Sequence, residues 1–359
     1  MFYLKSLKLT DFRCHQNLFL TFARSVNIII GKNASGKTSI VEAIHCLGLG
    51  KSYKAGSNTE MIRKGAPCGI IRAEIVNQDK NDELLFSLSP NSKKVALNNK
   101  TFARLSDYLG YFNVSVFCPE DYRLIKGTPR DRRNFFDISI SQLSSGYLNA
   151  SIRYRKILKQ RNEMLKMIAG NQGYDRILLK ILTEQLIKEG TTIINERKKF
   201  ISALNPLFNN KTKQISSGKE QGVIKYLMNT DIDRLEQVFS QKIVNEIAMQ
   251  TTLFGPHRDD FEIKINGENA GTFASQGQQR TLLLASKLAL TEMLANKDSP
   301  LVIILDDVFS ELDSARQNQL LSMINRDFQI FITTTSIESL ASKLLEHSKI
   351  IEIEEEEKL

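Results

Sequence analysis

The chain opens with alternation: from Phe2 to Phe22 apolar and polar residues trade places, with a break near Asp11. This predicts two short strands, Phe2 to Leu9 and Leu18 to Phe22, joined through Asp11-Phe12-Arg13-Cys14-His15. The run Val26-Asn27-Ile28-Ile29-Ile30 reads as a buried strand, and Ser39 to Ile44 opens a helix whose apolar residues recur at helical spacing. Gly48 and Gly50 are expected to end it. Strand-like runs follow at Ile70 to Val76, Leu84 to Leu88 and Lys93 to Leu97, which predict an antiparallel sheet added to this core, and Val114 to Phe117 is another strand.

Past Asp121 the period changes from two to 3.6. Ile152, Ile157, Leu158, Leu165 and Ile168, then Ile177, Leu178, Ile181, Leu182 and Leu186, mark long helices between Leu124 and about Leu253. Breaks are expected at Gly170 to Gly173 and at Asn205-Pro206. Alternation returns at Phe261, Ile263 and Ile265, closed by the hairpin pair Asn266-Gly267. An apolar helix is predicted over Thr281 to Leu294, then a buried parallel strand Leu301-Val302-Ile303-Ile304-Leu305 ending in Asp306-Asp307, and a further strand at Ile330 to Ile332. The organisation is therefore an α/β domain in two pieces, 1–123 and 254–359, split by a mostly helical insertion, 124–253. No internal repeat is visible.

Composition changes this picture little. With 359 residues, 42% of them hydrophobic, the chain can bury a substantial core and is not a disordered protein. Met1-Phe2-Tyr3-Leu4-Lys5 lacks a basic segment followed by an apolar one, and no later run approaches the length of a membrane span, so a cytoplasmic protein is expected. Cys14, Cys46, Cys68 and Cys118 lie far apart without a C-x-x-C pair, which suggests neither a disulfide framework nor a zinc site. The formal charge of +9 permits an anionic partner such as nucleic acid. Arg130, Arg132, Arg133, Arg153, Arg155, Lys156, Lys159 and Arg161, on the first inserted helices, are candidates for phosphate-backbone contacts, with a solvated helix face as the alternative.

The chemistry concentrates at Gly31-Lys32-Asn33-Ala34-Ser35-Gly36-Lys37-Thr38, which fits G-x-x-x-x-G-K-[ST] at every fixed position. Glycines let the backbone wrap phosphates in N–H groups, and the following helix adds the positive end of its dipole. Lys37 is expected to reach the β and γ phosphates, and Thr38 to ligate Mg²⁺. Asp306, at the carboxyl end of an apolar strand, is placed to hold the same ion, and Asp307 to orient or deprotonate an attacking water. Arg13, just upstream, is either a nucleotide contact or a solvated turn residue. His45 is read as packing, and His15 and His257 are given no catalytic role.

These motifs stand in the order of an ATP-binding-cassette head: Walker A at Gly31 to Thr38, a signature-like Ser275-Gln276-Gly277-Gln278-Gln279, Walker B at Leu301 to Asp306, and a D-loop-like Ser310-Glu311-Leu312-Asp313. More narrowly the chain resembles the bacterial RecF family, relatives of the SMC-type ATPases. The resemblance rests on Asp11-Phe12-Arg13, Gly50-Lys51-Ser52-Tyr53, Pro119-Glu120-Asp121, Lys126-Gly127 with Pro129 and Arg132-Arg133, Gly255-Pro256-His257-Arg258-Asp259-Asp260, and Leu305 to Asp313. It implies an ABC-type P-loop ATPase head with a mixed β-sheet and an inserted helical domain. It also implies a homodimer in which Ser275, Gly277 and Gln278 meet the γ-phosphate of ATP held at Lys37 of the second copy. The expected partners are DNA (double-stranded, gapped or a single-strand/double-strand junction) and RecR, with RecO, in loading recombinase during recombinational repair, replication restart and the SOS response.

This chain departs from the cassette pattern in places. Gln276 stands where transporters commonly have Gly, Asp307 is shorter than the usual Glu, and Thr333-Thr334-Thr335 occupy the region of a switch histidine. Glu120 or Asp121 lies where a Q-loop glutamine is usual. These departures fit a weak, slow ATPase that serves as a timer. A non-catalytic DNA scaffold stabilised by nucleotide is the main alternative. A small-molecule P-loop kinase leaves the signature-like segment unexplained, and an OLD-type nuclease lacks its acidic domain.

Overall fold

The structure, a computed structural model, describes residues 2–77, 80–104, 107–170, 176–295, 300–309, 317, 320, 328–337, 340, 342–346 and 348–354. In chain order it begins with β1 (Phe2–Phe12), β2 (His15–Thr21), β3 (Val26–Ile30), α1 (Lys37–Leu49) and the single turn α2 (Asn58–Met61). Four antiparallel strands and a return to the first layer come next: β4 (Gly69–Asn77), β5 (Lys80–Ser89), β6 (Ser92–Leu97), β7 (Lys100–Thr101) and β8 (Asn113–Phe117). The helical stretch holds α3 (Arg123–Lys126), α4 (Pro129–Leu143), α5 (Ser145–Ala169) and α6 (Arg176–Ile215), followed by β9 (Gly222–Leu227), α7 (Leu235–Gln241) and α8 (Ile243–Ala248). The remainder comprises β10 (Asp260–Ile265), β11 (Glu268–Asn269), α9 (Ala270–Phe273), α10 (Gln276–Ala295), β12 (Leu301–Asp306), β13 (Gln329–Thr334) and β14 (Ser348–Glu352). Among the described residues no helix is long and apolar enough to cross a membrane.

Two compact units result: Met1–Asp121 with Lys287–Leu359, and Tyr122–Ser286. The split therefore falls at 121 and 286 rather than at 123 and 253. The shift has a plain cause, because β10 pairs antiparallel with β9 from Asp260↔Leu227 to Ile265↔Gly222, and this ladder ties residues after 254 to the helical unit.

In the first unit a parallel sheet runs β14-β3-β13-β12-β8, and a separate antiparallel sheet runs β2-β1-β4-β5-β6-β7. All six residues of β12 and of β13 are buried, as strands covered on both faces must be, which explains their unbroken apolar runs. Gln329 couples the two sheets: its side chain accepts from Leu4 N–H at 2.7 Å and donates to Leu4 and Ala23 carbonyls at 2.8 Å each. Phe22 meets Phe331 edge-on, ring centroids 4.8 Å apart.

Three local expectations change. The break near Asp11 is a kink rather than a strand end: Asp11 has φ 49°, yet β1 continues to Phe12 and turns back at once through Phe12↔His15, with Arg13 at φ 56°. Gly48 does not end α1; it lies within it, because a Cβ there would stand 2.3 Å from Val114 Cγ2 on the neighbouring strand. Nor does Asn205-Pro206 break α6, which runs unbroken for 40 residues. Asn205 is held there by β9, exchanging hydrogen bonds with Ile224 N–H (2.8 Å) and C=O (2.9 Å), which supports the helix where Pro206 cannot donate.

The second unit is organised by buried ion pairs. Arg197 of α6 bonds Asp137 (2.8 Å), the Pro256 carbonyl (2.8 Å) and Asp259 (3.3 Å). Arg161 of α5, fully buried, bonds Glu246 (2.6 Å) and Thr252 (2.8 Å), and its guanidinium lies over Phe239. The Gly255-to-Asp260 stretch is thus an internal clasp, with Arg132 on Asp260 at 2.7 and 2.8 Å.

Candidate functional site

The turn between β3 and α1 places the phosphate-binding pattern at a helix start. Gly36 caps α1 at φ 95°, and a Cβ on it would collide with His15 Nε2 at 2.5 Å and Cys14 Sγ at 2.7 Å, so only glycine fits. The first-turn amides of a helix have no acceptor inside it and face outward with the positive dipole end. They open here into a cleft of about 680 Å³, lined among others by Arg13, Asn33, Ala34, Gly36, Lys37 and Thr38. Gly31 and Lys32 lead into the turn, which Asn33 and Ala34 form, and Ser35 after it is buried. The Lys37 ammonium donates to the carbonyls of Gly31 (2.6 Å) and Lys32 (2.7 Å), and partial burial lowers its pKa despite Asp307 and Asp306 nearby.

Parallel pairing of β12 with β13 brings the far end of the chain to this cleft. Asp306, 1% exposed, receives the Thr38 hydroxyl at 3.1 Å and the Thr333 hydroxyl at 2.8 Å on Oδ1, and the Tyr53 hydroxyl at 2.8 Å on Oδ2. Burial, with Asp306 beside it, pushes the Tyr53 phenol well up, so the ring stays a donor. Asp307 follows with φ 56°, its N–H on Thr333 Oγ1 at 2.9 Å; the side chain is exposed and lines the cleft with Thr333 and Thr335. Lys37, Thr38, Asp306 and Asp307 therefore meet as expected from their order.

Arg13 also lines the cleft, but its guanidinium is committed. It grips Glu42 of α1 through Nε (2.7 Å) and Nη2 (2.6 Å) and the Glu60 carbonyl through Nη1 (2.7 Å), and the Glu42 bonds raise its pKa. Asp121 is not a cleft residue: it is partly buried, paired with Lys287 at 2.7 Å and accepting from Cys118 N–H at 2.9 Å. Glu120 instead faces Lys54 at 3.6 Å. Tyr53, Lys54 and Thr333 are site residues to which the sequence reading gave no role, although Tyr53 lies in the Gly50-Lys51-Ser52-Tyr53 stretch and Thr333 in the region of a switch histidine.

Ser275, Gly277 and Gln278 stand at the start of α10 in the second unit. Ser275 and Gln278 form a reciprocal cap, Gln278 N–H on Ser275 Oγ at 3.3 Å and Ser275 N–H on Gln278 Oε1 at 2.9 Å. Ser275 and Gln276 remain exposed. The D-loop-like Ser310 to Asp313 lies outside the described residues. Of the candidate basic residues, Arg130, Arg155, Lys156 and Lys159 are exposed, whereas Arg161 is sealed inside and Arg132, Arg133 and Arg153 are hydrogen-bonded to the second unit itself.

With this geometry in hand, comparison with known proteins is decisive. The family model described as the RecF/RecN/SMC N terminal domain matches residues 3–358. The chain belongs to this family, among its bacterial RecF members. It is 39% identical over 367 residues to the DNA replication and repair protein RecF of Exiguobacterium sp. strain AT1b, covering 99% of this chain and 98% of that protein. The RecF of Bacillus thuringiensis strain Al Hakam is 36% identical, with 98% and 96% covered. Among solved structures, the recombination mediator protein RecF with ATP, from the RecFOR pathway, superposes with a TM-score of 0.87 at 31% identity, covering 95% of this chain and 94% of that one. An SMC head bound to the winged-helix domain of ScpA matches at TM-score 0.52 and 17% identity, which shows the shared ABC-type head fold.

Proposed function

We propose that this chain binds ATP with Mg²⁺ in the cleft at α1 and hydrolyses it weakly, as a switch for homodimerisation on DNA. The observation that carries this is the meeting of Thr38 Oγ1 and Asp306 Oδ1 at 3.1 Å, 268 residues apart in sequence, beside Lys37 at a helix start. A hydroxyl and a carboxylate suit a hard divalent cation, which supplies neutralisation of phosphate charge. The residues do the rest. Lys37 turns from the loop carbonyls to the β and γ phosphates, the loop amides hold the remaining oxygens, and Asp307 accepts hydrogen bonds from, and orients, the attacking water. Arg13 contributes by stiffening the hairpin against α1 through Glu42, with its guanidinium at the cleft margin.

The exposed start of α10 supports the composite pocket, in which Ser275, Gly277 and Gln278 of a second copy seal the γ-phosphate. Exposed Arg130, Arg155, Lys156 and Lys159 supply a surface for the phosphates of duplex, gapped or junction DNA. The RecF relatives, and a solved RecF structure from the RecFOR pathway, support a role with RecR and RecO in recombinase loading, replication restart and the SOS response in the cytoplasm. Replacing Lys37 by Met tests the cleft directly: titration with a fluorescent ATP analogue should show affinity reduced at least about 100-fold, roughly 2.7 kcal/mol. Unchanged affinity would remove the basis for the whole reading.

A further inference from the structure

Lys54 follows α1 in a turn with a fixed shape. Ser52 Oγ donates to Glu42 and accepts the N–H groups of Lys54 (2.8 Å) and Ala55 (2.6 Å), so the turn is anchored to the same glutamate that holds Arg13. From this anchor the Lys54 ammonium reaches two carboxylates, Asp306 Oδ2 at 3.7 Å and Glu120 Oε1 at 3.6 Å. The lysine side chain is 32% exposed, whereas that of Asp306 is 1% exposed. Glu120 Oε2 is buried and has no hydrogen-bond partner among the described residues, so this carboxylate has unused capacity for a cation.

A buried carboxylate must have its charge met, and among the described residues Asp306 has hydroxyl donors and this one ammonium in direct contact. Two cations cannot share its oxygens cheaply, since like charges under 4 Å apart in a partly dry site repel strongly. We propose that Lys54 is a displaceable counter-ion: it neutralises Asp306 until that carboxylate takes up a divalent cation, then withdraws to Glu120. Lys54 thereby sets how strongly the cation and the nucleotide bind together. The inference rests on Asp306 being the metal carboxylate of the proposed site.

The readout is the ratio of ADP affinity measured in Mn²⁺ to that measured in EDTA, by calorimetry on the full chain. In Lys54→Met, Asp306 keeps its charge when no cation is present and repels phosphates, and no competitor opposes the cation. The ratio should therefore rise about tenfold over wild type, equivalent to about 1.4 kcal/mol of added coupling. Lys54→Arg should restore the wild-type ratio, and Glu120→Gln, which removes the retreat, should lower it. A Lys54→Met ratio within about twofold of wild type overturns the counter-ion role if Asp306→Asn abolishes a large wild-type ratio. A wild-type ratio near one overturns the metal role of Asp306 and this inference together.

Discussion

Asp306 illustrates how much of a site's behaviour is set by the partners of one buried carboxylate. Three hydroxyls, from Thr38, Tyr53 and Thr333, hold it from three separate segments, and Thr333 also receives the N–H of Asp307. The next residue is thereby turned into the cleft with a left-handed backbone. Asp307→Asn keeps shape and hydrogen-bonding length but removes the negative charge proposed to orient or deprotonate water. Steady-state phosphate release should fall at least about tenfold while ATP-driven association persists, the range general-base loss produces. Retained turnover would favour the scaffold reading, in which nucleotide acts only by binding. His45, on the opposite side of the same helix's chemistry, carries a pH prediction. Burial pushes its imidazole pKa down to about 3, and its Nδ1 sits 2.7 Å from the Lys51 carbonyl. The unfolded chain takes up a proton near pH 6.5 that the fold refuses, so stability is full above that pH and is lost as pH falls toward 3. Between pH 7 and pH 5 urea unfolding should show a loss of about 2 kcal/mol from this group, and His45→Gln should flatten that slope.

Helices α5 and α6 show why charge runs are poor guides to surfaces. Along the sequence Arg153, Arg155, Lys156, Lys159 and Arg161 form one basic run, yet Arg161 points into the unit and meets Glu246, Thr252 and Thr183. That Arg161 faces inward depends on Glu246, an acid 85 residues away, and local periodicity does not contain that information. Arg161→Met leaves the Glu246 carboxylate buried without its cation, a change that costs about 3–5 kcal/mol. Denaturant unfolding should register it, and adding Glu246→Leu should recover most of the loss because the uncompensated charge is gone. A loss in Arg161→Met under about 1 kcal/mol would mean the pair matters little. The capping of α10 was, by contrast, readable in advance: Ser275 followed three residues later by Gln278 is a helix-start pattern, and the structure forms that box. Pro206 misled because its cost was met by a strand, β9, that pairs with the preceding Asn205.

For the protein acting as a pair of copies, the test lies at the exposed end of α10. Ser275→Arg adds a bulky charge where a second copy's γ-phosphate is to be sealed, far along the chain from the P-loop. Sedimentation with ATP should show dimers of the wild type and monomers of the variant, with the affinity of the single chain for ATP within about twofold of normal; normal dimers of the variant would sink the proposed composite pocket. The net charge of +9 says only that a polyanion is admissible, and the structure narrows the admissible residues to those left exposed and unpaired by acids.

By itself the amino-acid order determined the nucleotide cradle, the buried strand ending in Asp306-Asp307 and the helical character of the middle of the chain. Each of these is a local matter: turn chemistry, apolar period and the polarity of a strand end are written within a dozen residues. Tertiary structure alone decided that Tyr53, Lys54 and Thr333 converge on Asp306, that Arg13 is tied to Glu42, that Arg161 is interior and that residues 254–286 fold with the helices. Those outcomes depend on strand register and on charge partners tens to hundreds of residues away, where the energy of a buried pair outweighs any local preference.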